Sequence, residues 1–237
     1  MTLVSTFIKN RLSFFEKNDQ NSFSLWLNKS NRLGKLQENK KRNETTIINA
    51  AFELFVNKGL DSTTISDIVK GSKLARGTFY NYFQSKEEIW DLIVKKLVEN
   101  VNARLIEERK NANDIYEFTY NAFLGYAHVL QENKYLDLLI RNQANFRKSV
   151  FSAGLLNSIY AYLEKDIANS PYYNGLTMSQ IQLISYSMIG SAIELIIQAH
   201  LNQQTTSMEE LGKYFADLFI GGYERIISKS RRESQIK

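Results

Sequence analysis

Residues able to carry covalent chemistry are scarce in this chain. Cysteine is absent, which removes disulfides, thiol nucleophiles and thiolate metal sites, and two histidines, His128 and His200, are too few for a histidine-based centre. The carboxylates are scattered over helical faces, with no paired nucleophile and base and no glycine-rich loop to cradle phosphate. The sequence therefore predicts no enzyme, no cofactor and no metal. Its hydrogen-bonding capacity is concentrated elsewhere. Phe79 and Phe83 are four residues apart, and a short helix that buries both rings leaves Arg76, Thr78, Tyr80, Asn81 and Tyr82 on its outer side. Such a row suits recognition of another molecule's polar edges.

The charge distribution narrows the kind of molecule. Residues 1–86 hold 14 Lys and Arg against 7 Asp and Glu, while the whole chain carries only +5, so the positive charge belongs to the N-terminal part. A basic end on a near-neutral body fits nucleic acid, because phosphate neutralisation supplies most sequence-independent affinity. A basic surface that serves only solubility gives the same count. No stretch approaches the roughly 20 uncharged apolar residues of a membrane-spanning helix, and the first eight residues lack a secretory pattern. A cytoplasmic protein with no membrane partner is expected.

These residues must be positioned by helices. One proline, Pro171, and 11 glycines leave long uninterrupted stretches, and no run alternates with a strand's period, so the fold class is all-α. From Asn43 a helical period brings Ile47, Ala50, Ala51, Leu54 and Phe55 onto one face, with Gly59 as the stop. Thr64 and Asp67 form a capping box before a second helix of about two turns, with Ile65, Ile68 and Val69 as its apolar face. The third, short helix follows a linker at residues 72–75. Ser85 and Glu88 then start the most regular helix, with Ile89, Ile93, Leu97, Val101 and Leu105 every four residues. Further helices are predicted near residues 114–131, 134–143, 148–169, 178–203 and 208–230, the last two behind capping boxes at Thr177 with Gln180 and Ser207 with Glu210. Residues 1–39 form an extension of unknown order: two short amphipathic helices or a flexible arm, with a membrane-associated or scaffold role as the alternative.

A short second helix that braces and a third narrow enough for the major groove, about 12 Å wide, make the arrangement of a DNA-binding helix-turn-helix. The stretch Thr63-Thr64-Ile65-Ser66-Asp67-Ile68-Val69, followed by residues 74–88 with Arg76-Gly77-Thr78-Phe79-Tyr80-Asn81-Tyr82-Phe83, closely resembles the N-terminal signature of TetR-family transcriptional regulators. Ala50-Ala51-Phe52-Glu53-Leu54-Phe55 and Lys58-Gly59 resemble that family's first helix, so the likeness covers roughly residues 43–100. Two positions depart from it. Lys73 stands where the family has Gly in the turn, which implies φ > 0 at a lysine, and Ala75 replaces a capping Ser.

The resemblance implies a homodimeric, ligand-responsive regulator, by family default a repressor, that binds a near-palindromic operator in double-stranded DNA. It implies that Arg76, Gly77, Thr78 and Asn81 face base edges: Arg can bond guanine O6 and N7, Thr offers a hydroxyl and a methyl, and Gly admits close backbone approach. Thr64, Tyr80, Tyr82 and Lys86 would contact phosphates, with Lys73 and Ala75 at the turn beside them. Lys40, Lys41 and Arg42, placed before the first helix, could reach the backbone or the minor groove. The implied domains are a helix-turn-helix at 40–86, an effector-binding and dimerisation domain at 87–230 and a polar tail at 231–237.

The last two helices carry more apolar surface than one seam needs. The resemblance implies a four-helix bundle across a two-fold axis, with Ile184, Met188, Ile193, Ile196, Tyr214, Leu218 and Phe219 at the interface. The middle helices are rich in aromatic residues, and a cavity lined by Tyr120, Phe123, Phe146 and Tyr186 would suit a small apolar or aromatic effector.

Overall fold

In the computed structural model, residues 20–152, 155–170, 176–203 and 206–235 are described; they contain helices and no strand. The elements are α1 (Gln20–Lys58), α2 (Ile65–Ser72), α3 (Arg76–Tyr80), α4 (Lys86–Arg109), α5 (Ile115–Gln131), a 3-10 turn (Glu132–Lys134), α6 (Tyr135–Arg141), α7 (Gln143–Ser152), α8 (Leu155–Asn169), α9 (Met178–Leu201) and α10 (Met208–Gln235).

Helix α1 differs from the sequence expectation. Its packed part is as predicted, with Ile47, Ala51 and Phe55 fully buried and Gly59 ending it at φ +86°. The helix nonetheless begins at Gln20 rather than at Asn43, so Lys40, Lys41 and Arg42 lie inside it and do not form an arm before it. The apolar period marks where a helix acquires a core to pack against. It does not mark where the helix starts, and residues 20–46 contain no proline to break one.

The caps predicted from sequence hold α2 and α9. The Asp67 amide donates to Thr64 Oγ1 at 3.2 Å and the Thr64 amide donates back to Asp67 Oδ2 at 2.9 Å; Thr177 and Gln180 reciprocate in the same way. Lys73 adopts the left-handed conformation at φ 57°, and Ala75 opens α3 without a side-chain cap. Both departures thus have their expected backbone consequence.

Helix α4 buries all five predicted residues and adds Trp90 and Val94. It packs along α5, which packs in turn along α10. Gly212 permits the second contact, because a Cβ there would stand 3.0 Å from the Tyr120 ring and 3.2 Å from that of Phe123. Elsewhere the boundaries shift. Asn133 and Lys134 turn left-handed between α5 and α6, the helix expected at 148–169 corresponds to the end of α7 and the whole of α8, with residues 153 and 154 outside the described residues, and α10 runs to Gln235 through most of the predicted polar tail.

Helix α9 corrects the expectation that no stretch is apolar enough to span a bilayer: by length and composition Met178–Leu201 is. Uncharged Ser, Gln and Gly had diluted its appearance in sequence. Its strongest apolar stripe, Ile181, Met188, Ile189, Ala192, Ile196 and Ile197, is buried against other helices and so acts as core.

Candidate nucleic-acid interface and effector cavity

The base of the recognition surface is apolar. Phe79 and Phe83 are 1% and 4% exposed, and the Phe79 ring meets the Tyr80 ring edge-on at 5.4 Å. With that side of α3 fixed, Arg76, Gly77, Tyr80 and Asn81 are exposed and Thr78 is half-buried at the edge. Nothing lies within 4 Å of a Cβ built on Gly77, so the front of α3 is open. The Arg76 guanidinium is partly ordered: Nη1 lies 3.3 Å from Ser66 Oγ, Nη2 lies 3.5 Å from the Tyr80 hydroxyl, and Cζ sits 5.9 Å above that ring. Ser66, one helix away, is a neighbour that the α3 sequence alone does not reveal. Tyr82 is half-buried against the core, while Lys73, Ala75 and Thr64 are exposed around the turn.

Lys86 has a different job from the one expected. Its ammonium donates to the carbonyl oxygens of Leu60 at 2.8 Å, Asp61 at 3.2 Å and Thr63 at 2.8 Å. A lysine has three N–H donors, and all three are engaged, so none is left for a phosphate. The residue ties the start of α4 to the loop between α1 and α2. A cation in the first turn of a helix is unfavourable for the helix dipole, and here the loop carbonyls offset it.

The loop also has an electrostatic clamp. Lys58 Nζ reaches Asp67 Oδ2 at 2.6 Å, linking the end of α1 to the first turn of α2. The Lys58 ammonium first, and then the Thr64 hydroxyl and amide, hold the Asp67 carboxyl well below the usual carboxylate range.

In the C-terminal half a small cavity lies between α4, α5, α6, α7 and α9. Val101, Tyr126, Leu139, Phe146, Ile189 and Ile193 are in its wall, and apart from Asn102 the lining is aliphatic or aromatic. Of the four residues expected there, only Phe146 lines it. Tyr120 and Phe123 pack instead on Gly212 and, for Phe123, on the Phe215 ring at 5.1 Å; Tyr186 is exposed on α9. These rings close the seam between α5 and α10, where a glycine makes room for them.

The predicted dimer residues also divide. Met188 and Ile196 are buried within the subunit and Ile193 turns to the cavity, because the isoleucine-rich stripe of α9 is consumed by the core. Ile184 and Phe219 are half-buried, whereas Tyr214 and Leu218 are 59% and 54% exposed on α10. Sequence reasoning singled out Gly190 as a place for close helix approach but missed the exposed side chains in line with it on α9, Leu183 at 63% exposed and Tyr186. The spacing of three and four residues was legible, but mixed polarity hid the stripe.

The recognition unit and its helical body can be set beside known proteins. Residues 47–92 match the family described as bacterial regulatory proteins, tetR family. A stretch of 52 residues is 48% identical to the uncharacterized HTH-type transcriptional regulator YvdT of Bacillus subtilis, covering 22% of this chain and 27% of that protein. The chain therefore spans about a quarter of that relative's length. Over 175 residues, 72% of this chain and 91% of the other, it is 23% identical to the biofilm operon icaADBC HTH-type negative transcriptional regulator IcaR of Staphylococcus aureus. Its fold is similar to that of the transcriptional regulator FadR from Bacillus subtilis, solved in complex with stearoyl-CoA, with a TM-score of 0.57 and 21% identity over 75% of this chain and 98% of that one. The helix-turn-helix built on Phe79 and Phe83 thus lies within a stretch, residues 47–92, that matches the tetR family of bacterial regulatory proteins, and the all-helical body behind it is similar in fold to a solved transcriptional regulator.

Proposed function

We propose that this chain is a repressor that binds a near-palindromic operator as a homodimer and is released from it by a small apolar ligand. The observation that carries the reading is the open front of α3: Arg76 and Gly77 exposed at the N-terminal end of a helix anchored by buried Phe79. Arg76 reads guanine, Thr78 and Asn81 read neighbouring bases, and Tyr80, Thr64 and the turn at Lys73 approach phosphates. IcaR, a negative regulator by name, supports repression as the direction.

Dimerisation rests on the second stripe of α9 with the outer face of α10, where Leu183, Tyr186, Tyr214 and Leu218 stand exposed around Gly190, Gly221 and Gly222. Small residues let two such helix pairs approach closely, and an isologous interface fits inverted half-sites. A DNA-bound regulator of this kind works in the cytoplasm.

The ligand enters the cavity behind Phe146, whose wall suits an apolar molecule; FadR, solved with stearoyl-CoA, supports an acyl or similarly greasy ligand. Coupling follows from α7. Phe146 lies in the wall, while on the same segment Asn142 and Asn145 bond to Leu60 and Asp61 of the DNA-binding half and Ser149 bonds to Trp90 of α4. A ligand that favours one setting of α7 and α4 shifts the spacing of the two α3 helices away from grooves about 34–36 Å apart. Selection of binding sites from random duplex DNA tests the reading. Enrichment of inverted half-sites is expected, and a pool that stays random at low ionic strength overturns it.

A further inference from the structure

Residues 34–42 of α1 lie outside the helix-turn-helix core. Among the described side chains of this helix the first buried one is that of Ile47, and residues 34–42 are exposed on every side, including Leu36 at 56%. A helix that is polar all round lacks the packed face that ordinarily stabilises one. Its charge is not balanced either: residues 29–42 contain Lys29, Arg32, Lys35, Lys40, Lys41 and Arg42 against Glu38 alone.

The direction of this rod is set by its other end. The last turns of α1 are held to the C-terminal half, where Glu53 pairs with Lys134 at 2.8 Å, Phe52 meets Tyr135 edge-on, and the Phe55 carbonyl accepts from Asn142 at 2.9 Å. The basic end therefore leads away from that half. At 1.5 Å per residue, the segment from residue 42 back to residue 29 reaches about 20 Å.

We infer that the N-terminal part of α1 is a second DNA-contacting element, a rigid basic strut that lies along the phosphate backbone beyond the bases read by α3. This rests on the DNA-binding reading above and deepens it. Unlike a flexible arm, the strut loses little conformational freedom on binding, since it is an extension of a helix already fixed at Ile47, Ala51 and Phe55. It adds affinity without sequence preference, as phosphate contacts do. The net charge of the segment is of the sign and density that a duplex backbone complements.

The test is the salt dependence of binding by the full chain. Lys29, Arg32 and Lys35 are exposed, so K29Q/R32Q/K35Q leaves the packed fold intact. Wild type and variant are titrated with a selected operator duplex and with random duplex between 50 and 200 mM KCl, at about those concentrations where phosphate contacts dominate. If all three residues lie on phosphates, the slope of log K against log salt becomes shallower by about 2.7, equivalent to about a 40-fold smaller loss of affinity across that range. The change should be equal on operator and random DNA, and smaller on an operator trimmed of its flanks.

An unchanged slope in a variant that still selects operator overturns the strut while leaving the helix-turn-helix reading in place. Wild-type protein that ignores every duplex overturns both. Flotation of the wild type, but not the variant, with phosphatidylglycerol vesicles together with an unchanged DNA slope assigns the charge to a lipid surface and also rejects the proposal.

Discussion

The side-chain carbonyl of Asn142 accepts the backbone amide proton of Leu60 at 2.7 Å across the boundary between the DNA-binding and C-terminal halves. The same side chain donates to the carbonyls of Phe55 at 2.9 Å and Leu138 at 2.8 Å and is 3% exposed. The two carbonyls have backbone partners as well, since Gly59 N–H bonds to Phe55 and Asn142 N–H to Leu138. The Leu60 amide is the group that depends on Asn142.

Asn142→Leu accordingly leaves a buried amide unpaired and is expected to cost about 1–3 kcal/mol. Urea denaturation reads the loss, and hydrogen exchange at Leu60 should accelerate well before global unfolding. Unchanged protection at Leu60 would show that water or another group replaces the amide.

Lys86 and Arg76 should separate cleanly. Lys86→Met removes three charge-assisted bonds to the loop at residues 60–63 and is expected to lower stability by about 1.5–3 kcal/mol while leaving the salt slope of DNA binding alone. Arg76→Ala should leave stability nearly unchanged, cost about 1–3 kcal/mol of operator affinity and relax preference at one base position. Melting curves and competition with single-base operator variants distinguish them. A lower salt slope for Lys86→Met would return that residue to the phosphates.

The subunit contact is tested where its apolar groups are exposed. Leu183→Glu with Leu218→Glu buries like charges in the proposed interface and leaves the core stripe of Met188 and Ile196 untouched. Sedimentation should show monomers with native helical content. The Met188→Ala change, in contrast, opens a cavity in the subunit and is expected to cost about 2–5 kcal/mol of folding stability. A dimer that survives both glutamates would place the interface elsewhere.

The clamp between α1 and α2 has a definite pH response. Asp67 has a folded pKa depressed by Lys58 and Thr64, so its contribution is fully present above the unfolded value, about 3.9, and is lost as pH falls below it toward the folded value. Amide exchange at residues 64–68 should therefore rise as pH is lowered through the acid range, after correction for intrinsic rates. In Asp67→Asn that additional rise should be absent.

How much of this was legible in sequence depends on how local the cause is. Thr64 with Asp67 and Thr177 with Gln180 are decided within a few residues and could be read directly, whereas the left-handed Lys73 followed from the resemblance, which has Gly at that position. Phe79 and Phe83 as core followed from their spacing. The outward-facing stripe of α9 did not, because two stripes of one helix compete for the core, and which is covered depends on helices remote in sequence. Isoleucines 181, 189 and 196 won that competition, leaving Leu183 and Tyr186 outside. Lys86 misled for the same reason: its carbonyl partners lie more than 20 residues upstream. The start of α1 was missed because apolar period was taken for helix extent.

Trp90 occupies an informative place in the boundary between the halves. Its ring is 1% exposed and meets Phe55 edge-on at 5.8 Å, and its indole N–H donates to Ser149 Oγ at 2.9 Å, which in turn donates to Asp91 Oδ1 at 2.8 Å. One face of this indole thus touches the helix that supports the DNA-reading unit, and its nitrogen is bonded to the helix that carries cavity residue Phe146. The molecule contains its own optical gauge: any change in how α7 sits against α4 alters the dipolar surroundings of that indole, and emission should register it without an added dye.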